Sequence, residues 1–324
     1  MTIQKTFVTT IVLIVCAAVQ SVSAQIGYPE KPIRLVVPFP PAASTDILGR
    51  LVAQTLAQQL NGTVVVDNKP GANSKIGTEI VAKATADGYT LLFNTSSLVL
   101  NAALRAKPGY DPVRDFAPIT QFASLPLVYV AANSFPATNI REFVAYAKQR
   151  PGEVTYGSAG IGNGTHLGAY LFFDTLGIKA LHVPYKGGAA AVVDVVGGRV
   201  HFYAGSVAAL LTFIKDKRLK ALAVAALQRM PVLPDVPTVH ETVAPNFEAS
   251  LWQGVVAPAG TPPGIVRQLQ TAIARFLKIP STIDRLALEG AIPVGSTPEQ
   301  YGIYIKAELK RWNKVVADAG IKPE

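Results

Sequence analysis

Two strand-to-helix connections carry the groups best suited to holding a small anion. In the first, the apolar run Ile33-Arg34-Leu35-Val36-Val37 ends in Pro38-Phe39-Pro40-Pro41. The small residues Ala42-Ala43-Ser44 follow, and Thr45-Asp46 opens a helical pattern. Proline stops a strand ladder, and small side chains let a ligand approach the backbone. The helix that follows offers unpaired N–H donors and a partial positive charge, where anions settle. The competing reading is an ordinary capped turn, with Ser44 or Thr45 bonding its own helix. The second connection, Tyr156-Gly157-Ser158-Ala159-Gly160-Ile161-Gly162-Asn163-Gly164-Thr165-His166, repeats the device with four glycines. Glycine permits positive φ and close backbone approach. The spacing is not that of the dinucleotide fingerprint, and no acidic residue follows about 20 positions on. A flexible loop is the alternative.

Catalytic motifs are sparse. The chain contains no G-x-S-x-G elbow, no phosphate-binding P-loop and no H-E-x-x-H pair. Its four histidines, His166, His182, His201 and His240, are too far apart in sequence to spell a metal site. His166 adjoins the glycine loop and is the one placed to touch a ligand; the other three read as structural. Neither a metal nor a cofactor is expected. The rival reading is an exported hydrolase using Ser158 or Ser206 with His166, for which no activating arrangement is legible. An adhesion or scaffolding role would need an exposed apolar patch.

The elements that must position these loops alternate. Strand patterns at 33–37, 63–66 and 89–93 flank helical patterns at 45–60 and 76–81. A second series follows: helix 139–149, strand 154–157, helix 163–176, strand 181–185, helix 188–196, strand 200–204, helix 206–215 and strand 219–226. Helices at 262–278, 281–289 and 297–318 close the chain. The last opens on Thr297-Pro298-Glu299-Gln300, a capping-box pattern with proline at its first position. Such alternation predicts an α/β protein with mostly parallel sheets, and its length predicts two domains. Two longer strands, 118–131 and 250–257, bracket the middle segment. If both cross between domains, the first domain is discontinuous, 26–125 plus 253–324, and the second spans 126–252. A two-strand hinge lets such domains close over a ligand. The two anion cradles then face one cleft, at the carboxyl ends of the strands.

Residues 1–24 read as a cleavable signal peptide. Lys5 precedes an apolar stretch from Phe7 to Val22, and Val22-Ser23-Ala24 supplies small residues before Gln25. The apolar core is short of the roughly 20 residues a membrane span needs. The sole cysteine, Cys16, lies inside this segment, so the exported protein has neither thiol nor disulfide and relies on its core. The formal charge of +9 is scattered, with no block of like charges. This argues against nucleic acid and for a general attraction of small anions.

The loops carry a family likeness. The chain resembles the Bug receptors, the periplasmic solute-binding proteins of the tripartite tricarboxylate transporter system. The likeness runs through Val37-Pro38-Phe39-Pro40-Pro41-Ala42-Ala43-Ser44-Thr45-Asp46 and Asn68-Lys69-Pro70-Gly71-Ala72-Asn73-Ser74-Lys75-Ile76-Gly77-Thr78-Glu79. It continues through Asp87-Gly88-Tyr89-Thr90-Leu91, His182-Val183-Pro184-Tyr185-Lys186-Gly187-Gly188, Leu233-Pro234-Asp235-Val236-Pro237-Thr238 and Ala257-Pro258-Ala259-Gly260-Thr261-Pro262-Pro263. Arg311-Trp312 and Ala319-Gly320-Ile321 end it. The resemblance implies a two-domain type II periplasmic-binding-protein fold with a two-strand hinge and an interdomain cleft. It further implies a periplasmic receptor without catalytic activity that takes a small carboxylate, partly through ordered water. Such a receptor delivers its ligand to the membrane permease of a tripartite tricarboxylate transporter, or serves in sensing. A monomer is expected.

The ligand-contact set expected in the first domain is Phe39, Ala42, Ala43, Ser44, Thr45, Asp46, Asn73, Ser74, Lys75, Thr95 and Ser96. In the second domain it is Ser158, Ala159, Asn163, Gly164, Thr165, His166, Tyr203 and Gly205. Three positions that are glycine in the usual family pattern are Ala42, Ala43 and Ser44 here, which narrows the cradle and adds a hydroxyl. Lys75 reads either as a solvated lysine or as a contact for a second carboxylate. Many members carry an acidic residue where this chain has Tyr203-Ala204-Gly205-Ser206. Its loss removes a partner for a ligand amine and argues against an amino acid such as aspartate. A dicarboxylate is expected, and an aromatic one such as terephthalate if Phe39, Tyr185 and Tyr203 face the cleft rather than the core.

Overall fold

The computed structural model describes residues 27–42, 44–318 and 320–321. The expected signal peptide, Cys16, Ala43 and the side chain of Ser44 lie outside the described residues. The chain runs β1 Ile33–Val37, α1 Ser44–Leu60, β2 Val64–Asn68, α2 Lys75–Ala82, β3 Thr90–Thr95, α3 Ser97–Leu104 and β4 Phe116–Ala132. It continues with α4 Ile140–Gln149, β5 Thr155–Ser158, α5 Gly164–Thr175, β6 Leu181–Pro184, α6 Gly188–Val196, β7 Phe202–Ser206, α7 Val207–Lys215 and β8 Leu219–Val224. The closing elements are α8 Val239–Thr242, β9 Ser250–Pro258, α9 Pro263–Phe276, α10 Pro280–Leu288, β10 Ile292–Pro293 and α11 Pro298–Asp318.

β1 is buried except at Arg34, as a parallel strand covered on both faces should be. It pairs in parallel with β2 and β3, Ile33 opposite Val64 and Leu35 opposite Leu91. β9 adds antiparallel to β3, Thr95 opposite Gln253. β4 adds antiparallel to β9, from Phe116 opposite Pro258 to Pro126 opposite Ser250.

β4 belongs to two sheets. Beyond Pro126 it leaves β9 and pairs antiparallel with β7 and β8, and β5 joins β7 and β6 in parallel. The return passes through Ala249, whose carbonyl accepts from the Leu127 N–H (3.0 Å) and whose N–H donates to Ala225 O (3.0 Å). Two adjacent strands therefore join the halves, at Pro126–Leu127 and Ala249–Ser250.

Each half has its own core. Tyr129, Phe143, Phe172 and Phe202 centre one cluster. Phe93 and Phe122 lie on one side of the first sheet, Trp252 and Tyr301 on the other. Leu251 packs against a core of either half. Leu167, from α5, is buried in the same first-half cluster as Trp252, so the two halves are apposed. α3, α8 and β10 go beyond the sequence expectations. Thr297 and Gln300 form the expected reciprocal cap: the Gln300 N–H donates to Thr297 Oγ1 (3.2 Å) and the Thr297 N–H to Gln300 Oε1 (2.9 Å). Among the described residues no helix is long and apolar enough to cross a membrane.

Candidate functional site

In the β1–α1 loop a carboxylate of the first helical turn bonds a residue before the helix. Asp46, 2 % exposed, reaches back from the first turn of α1. Its Oδ2 accepts from the Ala42 N–H (2.9 Å) and Arg50 Nε (2.9 Å), and its Oδ1 from Asn68 Nδ2 (2.8 Å). Asn68 Nδ2 also donates to Phe39 O (3.1 Å). Burial pushes the Asp46 carboxyl up, but the bonds from Arg50, Asn68 and the Ala42 N–H outweigh it and hold the group below the ordinary carboxylate range. Asp46 thus fastens the loop, with Ala42 in the left-handed region at φ 64°.

The β2–α2 loop holds three consecutive left-handed residues, Ala72, Asn73 and Ser74, at φ 47°, 53° and 76°. None is glycine, and such positions persist only where neighbours over-determine them. Here α3 supplies the restraint. Asn101 Nδ2 donates to Asn73 O (2.6 Å), Ser74 Oγ meets Ser97 Oγ (2.7 Å), and Ser97 Oγ meets Thr95 Oγ1 (2.6 Å). Lys75 turns elsewhere. Its Nζ pairs with Glu79 (3.5 Å) and donates to Lys107 O (3.2 Å).

In the second half, Asn163 caps α5 by accepting from the Thr165 N–H (3.0 Å). Thr165 Oγ1 accepts from the Ala159 N–H (2.9 Å) and His166 Nδ1 from the Gly162 N–H (3.1 Å). His166 therefore props the glycine loop from beneath. It stacks on His182 with ring centroids 3.8 Å apart, and the Tyr156 ring lies nearly parallel to both, 5.0 Å from His182 and 6.2 Å from His166. Burial, with His182 beside it, pushes the His166 imidazole down to about 3, and burial pushes His182 down to about 4. Ser158 Oγ bonds His182 Nε2 (2.6 Å), so the histidine facing Ser158 is His182 rather than His166. Ser158 is fully buried, and the bonds among the described residues bring no carboxylate to either imidazole.

Two chambers open between the halves. The inner, about 180 Å³, is lined by Phe39, Thr45, Thr95, Ser96 and Ser97 from the first half and by Asn163, Gly164 and Ser206 from the second, with Leu251, Trp252 and Gln253 of β9 between them. The outer, about 220 Å³, is lined by Asn101, Leu104, Arg105, the 159–162 loop and Ile321. Asn73 and Asn163 line both chambers. These volumes fall below the ~300–1,000 Å³ of a drug-sized site and suit a small ligand.

Of the expected residues, Phe39, Thr45, Asn73, Thr95, Ser96, Ala159, Asn163 and Gly164 come together on these walls. Ala42, Asp46, Ser74, Lys75, Ser158, Thr165, His166, Tyr203 and Gly205 do not line them; several hold the lining residues from behind. Tyr203 is 3 % exposed, and a Cβ on Gly205 would lie 2.6 Å from Tyr203 Cε1 and 2.9 Å from Leu210 Cδ1. The Tyr185 hydroxyl is bonded to Asp194 (2.6 Å). The linings that sequence reasoning missed include Ser97, Asn101 and Arg105, on or just after α3, and Trp252 and Gln253 on β9.

The electrostatics favour an anion. The inner chamber receives the first turns of α1, α3 and α5, through Thr45, Ser97 and Gly164, and the residue preceding α7, Ser206. Their dipoles add, with the Ser97 N–H donating to Thr95 Oγ1 (3.2 Å) and the Thr165 N–H to Asn163 Oδ1 (3.0 Å). Among the described residues no aspartate or glutamate lines either chamber. Gln253 is 4 % exposed, and its Oε1 has no hydrogen-bond partner among the described residues. A buried polar atom of this kind is normally satisfied; a water, a ligand hydroxyl or, with the amide reversed, a ligand carboxylate would meet it.

Residues 48–321 match the family model described as "Tripartite tricarboxylate transporter family receptor". The chain belongs to that family. Among relatives of this receptor, Protein BugT of Bordetella pertussis (strain Tohama I) is 39 % identical over 297 residues, 91 % of each chain. Two solved structures superpose over most of it. Rpa4515 of R. palustris, with adipate, is 36 % identical with a TM-score of 0.79, covering 92 % of this chain and 100 % of that one. MatC from Rhodopseudomonas palustris, with bound malate, is 30 % identical with a TM-score of 0.74, covering 89 % and 100 %. The two-domain α/β receptor fold expected from the loops is the fold of these neighbours.

Proposed function

We propose that the protein is a periplasmic receptor that captures a small dicarboxylate between its two halves and presents it to the membrane permease of a tripartite tricarboxylate transporter. One observation carries this reading: Thr45 and Gly164, in the first turns of helices from opposite halves, line one chamber with no acidic side chain among the described residues of its wall. A carboxylate there accepts from both halves at once and so favours their closure. The halves turn on the two strand crossings, at Pro126–Leu127 and Ala249–Ser250. Adipate and malate in the related structures support a diacid. Phe39, half-buried on the wall, supplies aromatic surface on which a terephthalate ring would pack.

The test is a thermal-shift panel on the exported chain with succinate, adipate, malate, terephthalate, benzoate, aspartate and citrate. A ligand present at 100 times its Kd stabilises by about 2.7 kcal/mol. Stabilisation by at least one diacid, above benzoate and aspartate, is expected. No response to any carboxylate, or aspartate first in the ranking, would contradict the proposal.

A further inference from the structure

Arg105 is the only charged side chain lining either chamber among the described residues. It follows the last residue of α3 in extended conformation, φ −120° and ψ 133°, and is half-buried. It takes part in none of the ion pairs among the described residues. Most other cations near the cleft are spent: Arg50 on Asp46, Lys75 and Lys83 on Glu79. A guanidinium left free at a partly enclosed wall, with Leu104 beside it and Ile161 and Ile321 across the chamber, interacts strongly with any anion that enters.

We infer that Arg105 is the specificity-determining residue that reads the second acid group of the ligand. This rests on the proposed seating of the first carboxylate at the helix N-termini of the inner chamber. Asn73 and Asn163 line both chambers, so a ligand passing between them extends its far end towards Arg105. Carboxylate and guanidinium match as a two-bond fork. The inner chamber, built from dipoles and hydroxyls, accepts any carboxylate; the outer one selects for the presence of a second acid and for its distance from the first. Lys75, the cation that sequence alone offers for this role, is held by Glu79 instead.

The test is calorimetric titration of the exported chain with matched acids: succinate and butyrate, adipate and hexanoate, terephthalate and benzoate. In the wild type, the diacid of the best-bound pair is expected to bind roughly 10- to 100-fold more tightly than its monoacid. Arg105→Gln should collapse that ratio towards one by weakening the diacid. Arg105→Lys should retain part of it. The melting temperature of each unliganded variant reports whether it folds. An unchanged ratio in folded Arg105→Gln, or equal weakening of both acids, overturns the role of Arg105 while leaving the inner site standing. A wild type that binds none of the six acids overturns both.

Discussion

Leu251 occupies the space into which a side chain on Gly164 would project: its Cδ2 would lie 2.3 Å from a Cβ there. The contact joins the crossing strand β9 to the first residue of α5, so the glycine is what lets the second half seat against the first. Gly162 plays the same part against Leu104, at 2.5 Å and φ 70°. Gly164→Ala should hold the halves apart. Overpacking costs about 1–3 kcal/mol, so affinity for the best diacid should fall about tenfold or more. Calorimetry checks this, and an unchanged Kd would place closure elsewhere.

Asp46 should matter to binding without touching the ligand. Asp46→Ala releases Ala42, Arg50 and Asn68 together, and a buried network deprived of one member loses about 1–3 kcal/mol. A lower melting temperature and weaker diacid binding are expected together. A normal melting temperature with abolished binding would instead make Asp46 a direct contact.

Acid should loosen the glycine loop. His166 and His182 are held at about 3 and about 4, below the ordinary 6.5 or so, so the folded state takes up fewer protons than the unfolded one. Their contribution is whole above about pH 6.5 and is lost as pH falls towards those values. Unfolding in urea should show stability falling steadily from pH 7 to pH 4.5. The double variant H166N/H182N should lack most of that slope; an identical slope would assign the acid sensitivity to carboxylates.

Gly205 is a glycine for room. Gly205→Asp would drive Cβ against Tyr203 and Leu210 and should lower the melting temperature without creating affinity for aspartate. Aspartate binding gained by this variant would mean that Tyr203 swings aside.

The strands other than β10, most helices and the two strand-to-helix connections were legible because strand runs, helical spacing and turn residues are local signals. α3 was not. Ser97-Leu98-Val99-Leu100-Asn101-Ala102-Ala103-Leu104 is apolar on nearly every face because it is packed on nearly every face, and such a helix shows no stripe. The cost was functional, since Ser97 and Asn101 sit on it and Arg105 follows it. Gln253 and Trp252 were read as strand but not as site, because only the pairing of β9 with β3 and β4 brings them to the chamber. For Lys75 the sequence did hold a clue: Glu79 stands four residues on, the spacing of a helical ion pair.

The most direct test is a crystal structure of the exported chain with its tightest-binding diacid. One carboxylate should lie between α1 and α5, within about 2.7–3.2 Å of donors at Thr45 and Gly164, with the second beside Arg105. Ligand density in the surface depression near Arg267 and Arg275, with both chambers holding only water, would contradict the account.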